Sequence, residues 1–209
     1  MTRVRKNKQI IKKRDIRNVC LLGSSNHIGV DELPQFCLPP SITVQNRARP
    51  GASCKVGTFK SWTVQAIPHT GKEILPENLY CLCLSFNSVL RNSSELHTFG
   101  DSFISHTLFT IQTLERYNLN PHRQLILCMP LPRLGLSHFP PQLEVIRKLK
   151  TALAKKRIPY FDIWDSIPQR IKSSHRRFFG RDIYHYSPAV YHITAHIVSR
   201  EITNYLCSS

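Results

Sequence analysis

The sequence contains no long hydrophobic run and no CxxC pair, and these absences exclude several classes of protein. A membrane-spanning helix needs roughly 18 apolar residues in a row, so no membrane span is expected. The seven cysteines are an odd number at irregular spacing, which favours reduced, mostly buried thiols over a disulfide framework or a zinc site. No apolar h-region follows the charged N-terminus, which predicts an intracellular protein, cytoplasmic or nuclear.

Acidic residues are scarce: 13 Asp and Glu stand against 29 Lys and Arg, for a formal net charge of +16. Eight basic residues lie within the first seventeen positions: Arg3, Arg5, Lys6, Lys8, Lys12, Lys13, Arg14 and Arg17. Such a run is typical of a nuclear-localisation or nucleic-acid-binding arm; a solvated, disordered tail is the alternative. Further basic clusters at 47–49, 147–156 and 170–181 favour a polyanionic partner.

We divide the chain into this basic arm, 1–17, and one globular domain, 18–209; the 41% hydrophobic content of the whole chain suits a folded core. Short apolar segments predict strands at about 18–22, 41–46, 80–84, 124–129 and 160–164. Helical patterns occupy about 52–67, 101–117, 141–156 and 188–206. This alternation predicts a flavodoxin-like three-layer α/β/α sandwich with a five-stranded parallel sheet in the order 2-1-3-4-5.

Polar residues stand where the strands end. The first strand stops at Gly23-Ser24-Ser25-Asn26, Gly51 follows the second, and Asn87 follows the third. A fourth group, Asp182 to His185, precedes the last helix. In a doubly wound sheet these groups gather along one edge. A serine nucleophile needs a histidine to take its proton, the histidine needs a carboxylate, and the oxyanion needs N–H donors.

The same groups resemble the four blocks of the SGNH (GDSL-like) hydrolase superfamily across residues 18–206. Gly23-Ser24-Ser25-Asn26 is similar to the Gly-Asp-Ser turn, with Ser24 in place of Asp. Asn46 to Ser53 resembles the glycine block, Ser85-Phe86-Asn87-Ser88 resembles the asparagine block without its glycine, and Asp182 to His185 is an intact Asp-x-x-His block.

The resemblance implies a serine esterase in which Ser25 is the nucleophile, His185 the base and Asp182 the residue that orients it. Ser25, the Gly51 N–H and the Asn87 side chain would form the oxyanion hole. The implied substrate is a small acyl ester, because nothing in the sequence indicates a lipid-sized lid. Such a reaction uses neither a metal nor an organic cofactor.

Each block also has a plainer explanation. Ser24, Ser25 and Asn87 could make turns or cap helices, Gly51 could be a turn glycine, and Asp182 an ordinary loop acid. The literal Gly-Asp-Ser at Gly100–Ser102 follows no apolar strand, and we interpret it as a helix N-cap. Asp162 and Asp165 could be paired carboxylates or loop acids that end a strand. His192 and His196 lack a third metal ligand.

Two rival functions belong to other classes. Esterase-like domains also occur in proteins encoded by LINE-type retroelements, beside nucleic-acid-binding segments, and the basic arm is similar to such a segment in charge. The chain could therefore be a catalytically silent SGNH-like scaffold that binds nucleic acid through its arm and surface. A doubly wound interaction domain with neither activity is the third hypothesis.

Overall fold

A computed structural model describes residues 13–50, 52, 65–66, 74–86, 96–132, 139–179 and 185–208. Its centre is a sheet of five parallel strands in the order β2-β1-β3-β4-β5, which confirms the predicted flavodoxin-like topology. The strands are β1 (Asn18–Leu22), β2 (Thr43–Asn46), β3 (Asn78–Cys83), β4 (Leu125–Cys128) and β5 (Tyr160–Phe161).

Six helices are described: α1 (Leu96–Arg116), α2 (Pro121–Gln124), α3 (Phe139–Lys155), α4 (Gln169–Lys172), α5 (His175–Phe178) and α6 (Pro188–Cys207). α1 and α3 cover one face of the sheet, and α6 covers the other. None of the helices in this part of the chain is long and apolar enough to cross a membrane.

The two faces of the central strands explain their continuous apolar character. Along β1, Cys20 and Leu22 pack with α1 and α3, whereas Val19 and Leu21 pack with α6. β3 and β4 are buried throughout in the same way. A strand covered by helices on both faces needs apolar residues at every position. β1 therefore ends where its run of apolar residues ends.

The last strand is shorter than predicted. It ends at Phe161, because the Asp162 carboxylate accepts a hydrogen bond of 2.8 Å from the Trp164 N–H and turns the chain into a 3-10 helix, Trp164–Ser166. Asp162 also forms an ion pair with Lys150 on α3. Asp165 is exposed. These acids end a strand, as the plainer interpretation holds.

The interpretation of Gly100–Ser102 as a helix N-cap is wrong. α1 begins at Leu96, so these residues lie inside the helix. A Cβ atom at Gly100 would lie 2.6 Å from Val145 Cγ2 on α3, which is closer than van der Waals contact permits. Gly100 is therefore a site of close helix–helix approach.

We expect Gly100→Ala to destabilise the protein by about 1–3 kcal/mol, because Val145 is β-branched and has little rotamer freedom in a helix. Alanine's better helix propensity acts in the opposite direction and is smaller, about 1 kcal/mol. Urea denaturation of both single variants and of Gly100→Ala/Val145→Ala forms a double-mutant cycle. A stabilising Gly100→Ala, or no coupling with Val145→Ala, would contradict the close approach.

Candidate active site

The turn after β1 separates its two serines. Beyond Leu22 the chain passes through Gly23 and Ser24 into a 3-10 helix, Ser25–His27, for which Ser24 is the N-cap residue. Ser24 is fully buried, with 0% of its surface exposed, whereas Ser25 is only partly buried. Of the two hydroxyls, that of Ser25 is the one a substrate could reach.

A glutamine that belongs to none of the predicted motifs holds the start of this turn. The Gly23 N–H donates to Gln65 Oε1 at 2.9 Å, and Gln65 Nε2 donates to the Gly23 carbonyl at 3.0 Å. Gln65 is 2% exposed. The Arg47 guanidinium in turn donates to the Gln65 and Ala66 carbonyls, at 3.3 Å each. Both polar groups of the Gly23 backbone are thereby satisfied inside the protein.

The other end of the turn is tied to β2. Asn46 Nδ2 donates to the His27 carbonyl at 2.9 Å and to Asp31 Oδ1 at 2.5 Å. Its Oδ1 accepts the Ala48 N–H at 3.0 Å, at the start of the segment that resembles the glycine block. Asn46 thus couples the serine turn to that segment through one side chain.

His27 fills the space beside the turn. A Cβ atom on Gly23 would lie only 3.0 Å from His27 Nδ1, so a larger residue at 23 would displace the imidazole. His27 is 3% exposed, and burial lowers its pKa, with a smaller opposing effect of Cys83. Nδ1 of His27 and Oγ of Ser24 have no hydrogen-bond partner among the described residues. The imidazole is therefore neutral at physiological pH.

The amino end of α6 reaches the serine turn. The Tyr191 hydroxyl donates to the Ser25 carbonyl at 3.3 Å. α6 begins at Pro188, as predicted, and the Ser187 hydroxyl accepts the Val190 N–H as its cap. His185 stands three residues before this start and is exposed. The described hydrogen bonds do not include one between Ser25 and His185.

Aromatic packing fixes the residue next to His185. Tyr186 is buried against Phe178 and Phe179, and an isolated antiparallel bridge joins Phe179 to Tyr186. Tyr186 also meets the His27 ring edge-on, with centroids 6.5 Å apart. Tyr186 and Tyr191 pack in the core on the α6 side.

The remaining predicted site residues, Gly51, Asn87 and Asp182, lie outside the described residues, as do Arg3, Arg5, Lys6, Lys8 and Lys12 of the arm. Of the other arm residues, Arg17 is exposed. Lys13 lies in a 3-10 helix, donates to Ser208 Oγ at 2.7 Å and stacks 4.2 Å from the centre of the Tyr205 ring. Lys13 therefore contributes to packing at the carboxyl end of α6.

A layer of thiols lies under the site. Cys81, Cys83 and Cys128 are buried and reduced, as predicted, with 3.8 Å between the first two sulfur atoms. Burial raises the pKa of Cys128, and a hydrogen bond to Cys83 together with burial raises that of Cys81. Hydrogen bonds with Cys128 and Cys81 instead lower the pKa of Cys83, so only Cys81 and Cys128 have the raised pKa of inert buried thiols. Within the described ranges, no group of three or more His, Cys, Asp or Glu could hold a metal ion.

Replacing Gln65 by leucine tests the first of these contacts. Gln65→Leu keeps the volume but leaves the buried Gly23 N–H without an acceptor, so we expect a loss of about 1–3 kcal/mol in the free energy of unfolding. Gln112→Leu, at an exposed position of α1, is the matched control and should change stability by less than about 0.5 kcal/mol. Equal stability of the two variants in urea denaturation would refute the role of Gln65.

The lowered pKa of His27 gives the stability a pH dependence. As the pH falls, the His27 imidazole of the unfolded chain takes up a proton near the ordinary pKa of 6.5, and that of the folded chain does so only at a lower pH. Stability is therefore complete above pH 6.5 and falls as the pH drops below it, by at most about 1.4 kcal/mol per pH unit from this group. His27→Gln should flatten that part of the profile. An unchanged slope in chemical denaturation across this range would contradict the assignment.

The fold, rather than the sequence, relates this chain to known proteins. No protein-family model matches the sequence, and no curated protein matches it. Among solved structures, a carbohydrate acetylesterase from Sinorhizobium meliloti is 11% identical, with 90% of this chain and 99% of that chain covered and a TM-score of 0.63.

Two further solved structures are similar to this chain in fold. A catalytic mutant of an acetylxylan esterase from Geobacillus stearothermophilus is 16% identical, with coverages of 89% and 94% and a TM-score of 0.62. A GDSL-like lipase from Bacteroides thetaiotaomicron is 10% identical, with coverages of 92% and 90% and a TM-score of 0.61. The chain therefore shares the fold of these two acetyl esterases and of the GDSL-like lipase.

Proposed function

We propose that the protein is a serine esterase that hydrolyses a short acyl or acetyl ester. The observation that carries the proposal is the Ser25 turn. It follows β1 at the edge of the parallel sheet where such sheets bind ligands, and the Tyr191 hydroxyl joins it to the helix that His185 precedes. The likeness of the fold to acylhydrolases and acetylesterases supports a hydrolase.

In this proposal Ser25 Oγ attacks the ester carbonyl carbon while His185 takes the hydroxyl proton and Asp182 holds the imidazole in the required tautomer. Negative charge develops on the carbonyl oxygen, where the N–H groups of Ser25 and Gly51 and the amide of Asn87 donate to it. The C–O bond to the leaving group breaks, and the alcohol leaves with the proton from His185. Water then cleaves the acyl-enzyme by the same steps, which restores Ser25.

The burial of the neighbouring serine supports the choice of Ser25. Ser24 occupies the position of the superfamily's aspartate, and its hydroxyl is enclosed beside His27. A nucleophile must reach the substrate carbonyl at about 3–3.5 Å, which a fully enclosed hydroxyl cannot do. The acyl group is assigned as small because two structurally similar enzymes are named for acetyl esters.

Short-chain aryl acetate hydrolysis tests the proposal, and Ser24 supplies the matched control. We expect Ser25→Ala and His185→Ala each to lower kcat/KM by about a thousandfold or more, because each removes a member of the triad. Ser24→Ala should stay within about a factor of three of the wild type, since its hydroxyl touches no substrate. Circular dichroism checks that all variants fold. Loss of activity in Ser24→Ala with retention in Ser25→Ala would reverse the assignment.

Binding of nucleic acid is a second candidate function, and the net charge of +16 favours it. A surface with this excess of cations attracts polyanions over distances of about a Debye length, roughly 10 Å at moderate salt. The basic run Arg3 to Arg17 carries the highest local density of this charge. Binding through it is independent of Ser25, so the two functions are compatible in one chain.

A further inference from the structure

An open groove lies between α4, α5 and the start of α6. Its volume is about 490 Å³, and its lining residues are Arg170, Ile171, Arg177, Ser187, Pro188 and Ala189. Sites for small ligand groups have volumes of about 300–1,000 Å³, so the groove is large enough for one such group. It begins two residues after His185, at the end of α6 that approaches the serine turn.

Hydrogen bonds hold the walls of the groove together. Arg177 Nη1 donates to the Arg170 carbonyl at 3.4 Å, which draws the guanidinium of one wall toward the other. The Ser187 hydroxyl donates to the Arg177 carbonyl at 2.5 Å, and the Ser187 N–H donates to the Phe178 carbonyl at 2.9 Å. Because these bonds already order the walls, little further ordering is required when a ligand binds.

Among the described residues, no carboxylate compensates the charge of the groove. Arg170 and Arg177 are exposed, and neither takes part in an ion pair with a described residue. By contrast, Arg147 and Arg200 are paired with Glu144 and Glu201. The described residues that line the groove include no carboxylate. Two guanidinium groups therefore border a common space, and apart from Arg177 Nη1 their donors are available to an anion.

We propose that this groove binds a phosphodiester of single-stranded nucleic acid. Arg170 and Arg177 donate to the phosphate oxygens, the geometry that planar guanidinium groups satisfy best. The apolar lining of Ile171, Pro188 and Ala189 contacts the adjoining sugar. A concave site of this size admits one nucleotide unit of a flexible strand, whereas the phosphates of a duplex lie on a broad convex surface. This inference rests on the second candidate function and is independent of the esterase.

Fluorescence anisotropy with a labelled oligothymidylate tests the groove in the full-length protein. The variant is Arg170→Gln/Arg177→Gln, and the matched control is Arg147→Gln/Arg200→Gln, which removes the same charge from arginines already paired. We expect the groove variant to bind roughly tenfold more weakly and to lower the slope of log K against log salt by about 0.7 per lost phosphate contact. The control should retain most of the wild-type slope.

Chemical modification with phenylglyoxal gives a readout for each arginine that does not depend on the arm. Mass spectrometry should show the oligonucleotide protecting Arg170 and Arg177 and leaving Arg147 and Arg200 reactive. Equal affinities of the two double variants, with protection confined to residues 1–17, would show that the arm alone binds and would overturn the groove.

Two other outcomes are also decisive. If inorganic phosphate protects both groove arginines as well as the oligonucleotide does, the site is one for small anions and the nucleic-acid occupant is wrong. If the wild type does not bind the oligonucleotide at all, the second candidate function fails together with the groove. Aryl acetate hydrolysis is unaffected by either result, so these failures remain distinguishable from failure of the esterase.

Discussion

The paired hydrogen bonds between Gln65 and the backbone of Gly23 solve a problem that every buried parallel strand creates at its end. β1 is covered on both faces, so the first residue beyond it is also enclosed, yet its N–H and carbonyl no longer belong to the ladder with β3. A side-chain amide offers one acceptor and one donor in the spacing of a peptide group and replaces the missing strand partner. Without Gln65 the Gly23 carbonyl would still accept the Arg49 N–H at 3.0 Å, but the Gly23 N–H would be left without an acceptor inside the protein.

Two other long-range contacts then shape the same turn. Asn46 fixes its far end to β2, and Tyr191 fixes its middle to α6. Gln65, Asn46 and Tyr191 reach the turn from the two faces and the edge of the sheet, so the conformation of the turn depends on the whole domain. The buried His27, close against Gly23, leaves no room for a larger residue at the start of the turn. The result is a rigid support that separates an enclosed hydroxyl, Ser24, from an accessible one, Ser25.

The central sheet and the position of Ser25 were predictable from the sequence because both follow from local patterns. An apolar run buried on two faces marks a parallel strand, and the residues where it stops mark the edge of the sheet. The supporting residues were not predictable: Gln65 lies 42 positions from Gly23, and Tyr191 lies 166 from Ser25. The predicted start of α1 was wrong because Gly100–Ser102 was interpreted as a helix cap. Gly100 instead allows α1 to pack closely against Val145. β5 was too long in the prediction because the Asp162 side chain, rather than hydrophobicity, decides where that strand stops.

The contacts of Lys13 with Tyr205 and Ser208 place this one residue of the basic arm relative to the serine turn. α6 has 20 residues and is therefore about 30 Å long. Lys13 lies at its carboxyl end, whereas Ser25 and the arginine groove lie near its amino end. Lys13 therefore lies about one helix length from Ser25 and the groove. A single strand that contacted both Lys13 and the groove would have to extend over that distance, so only a polymer could bridge them.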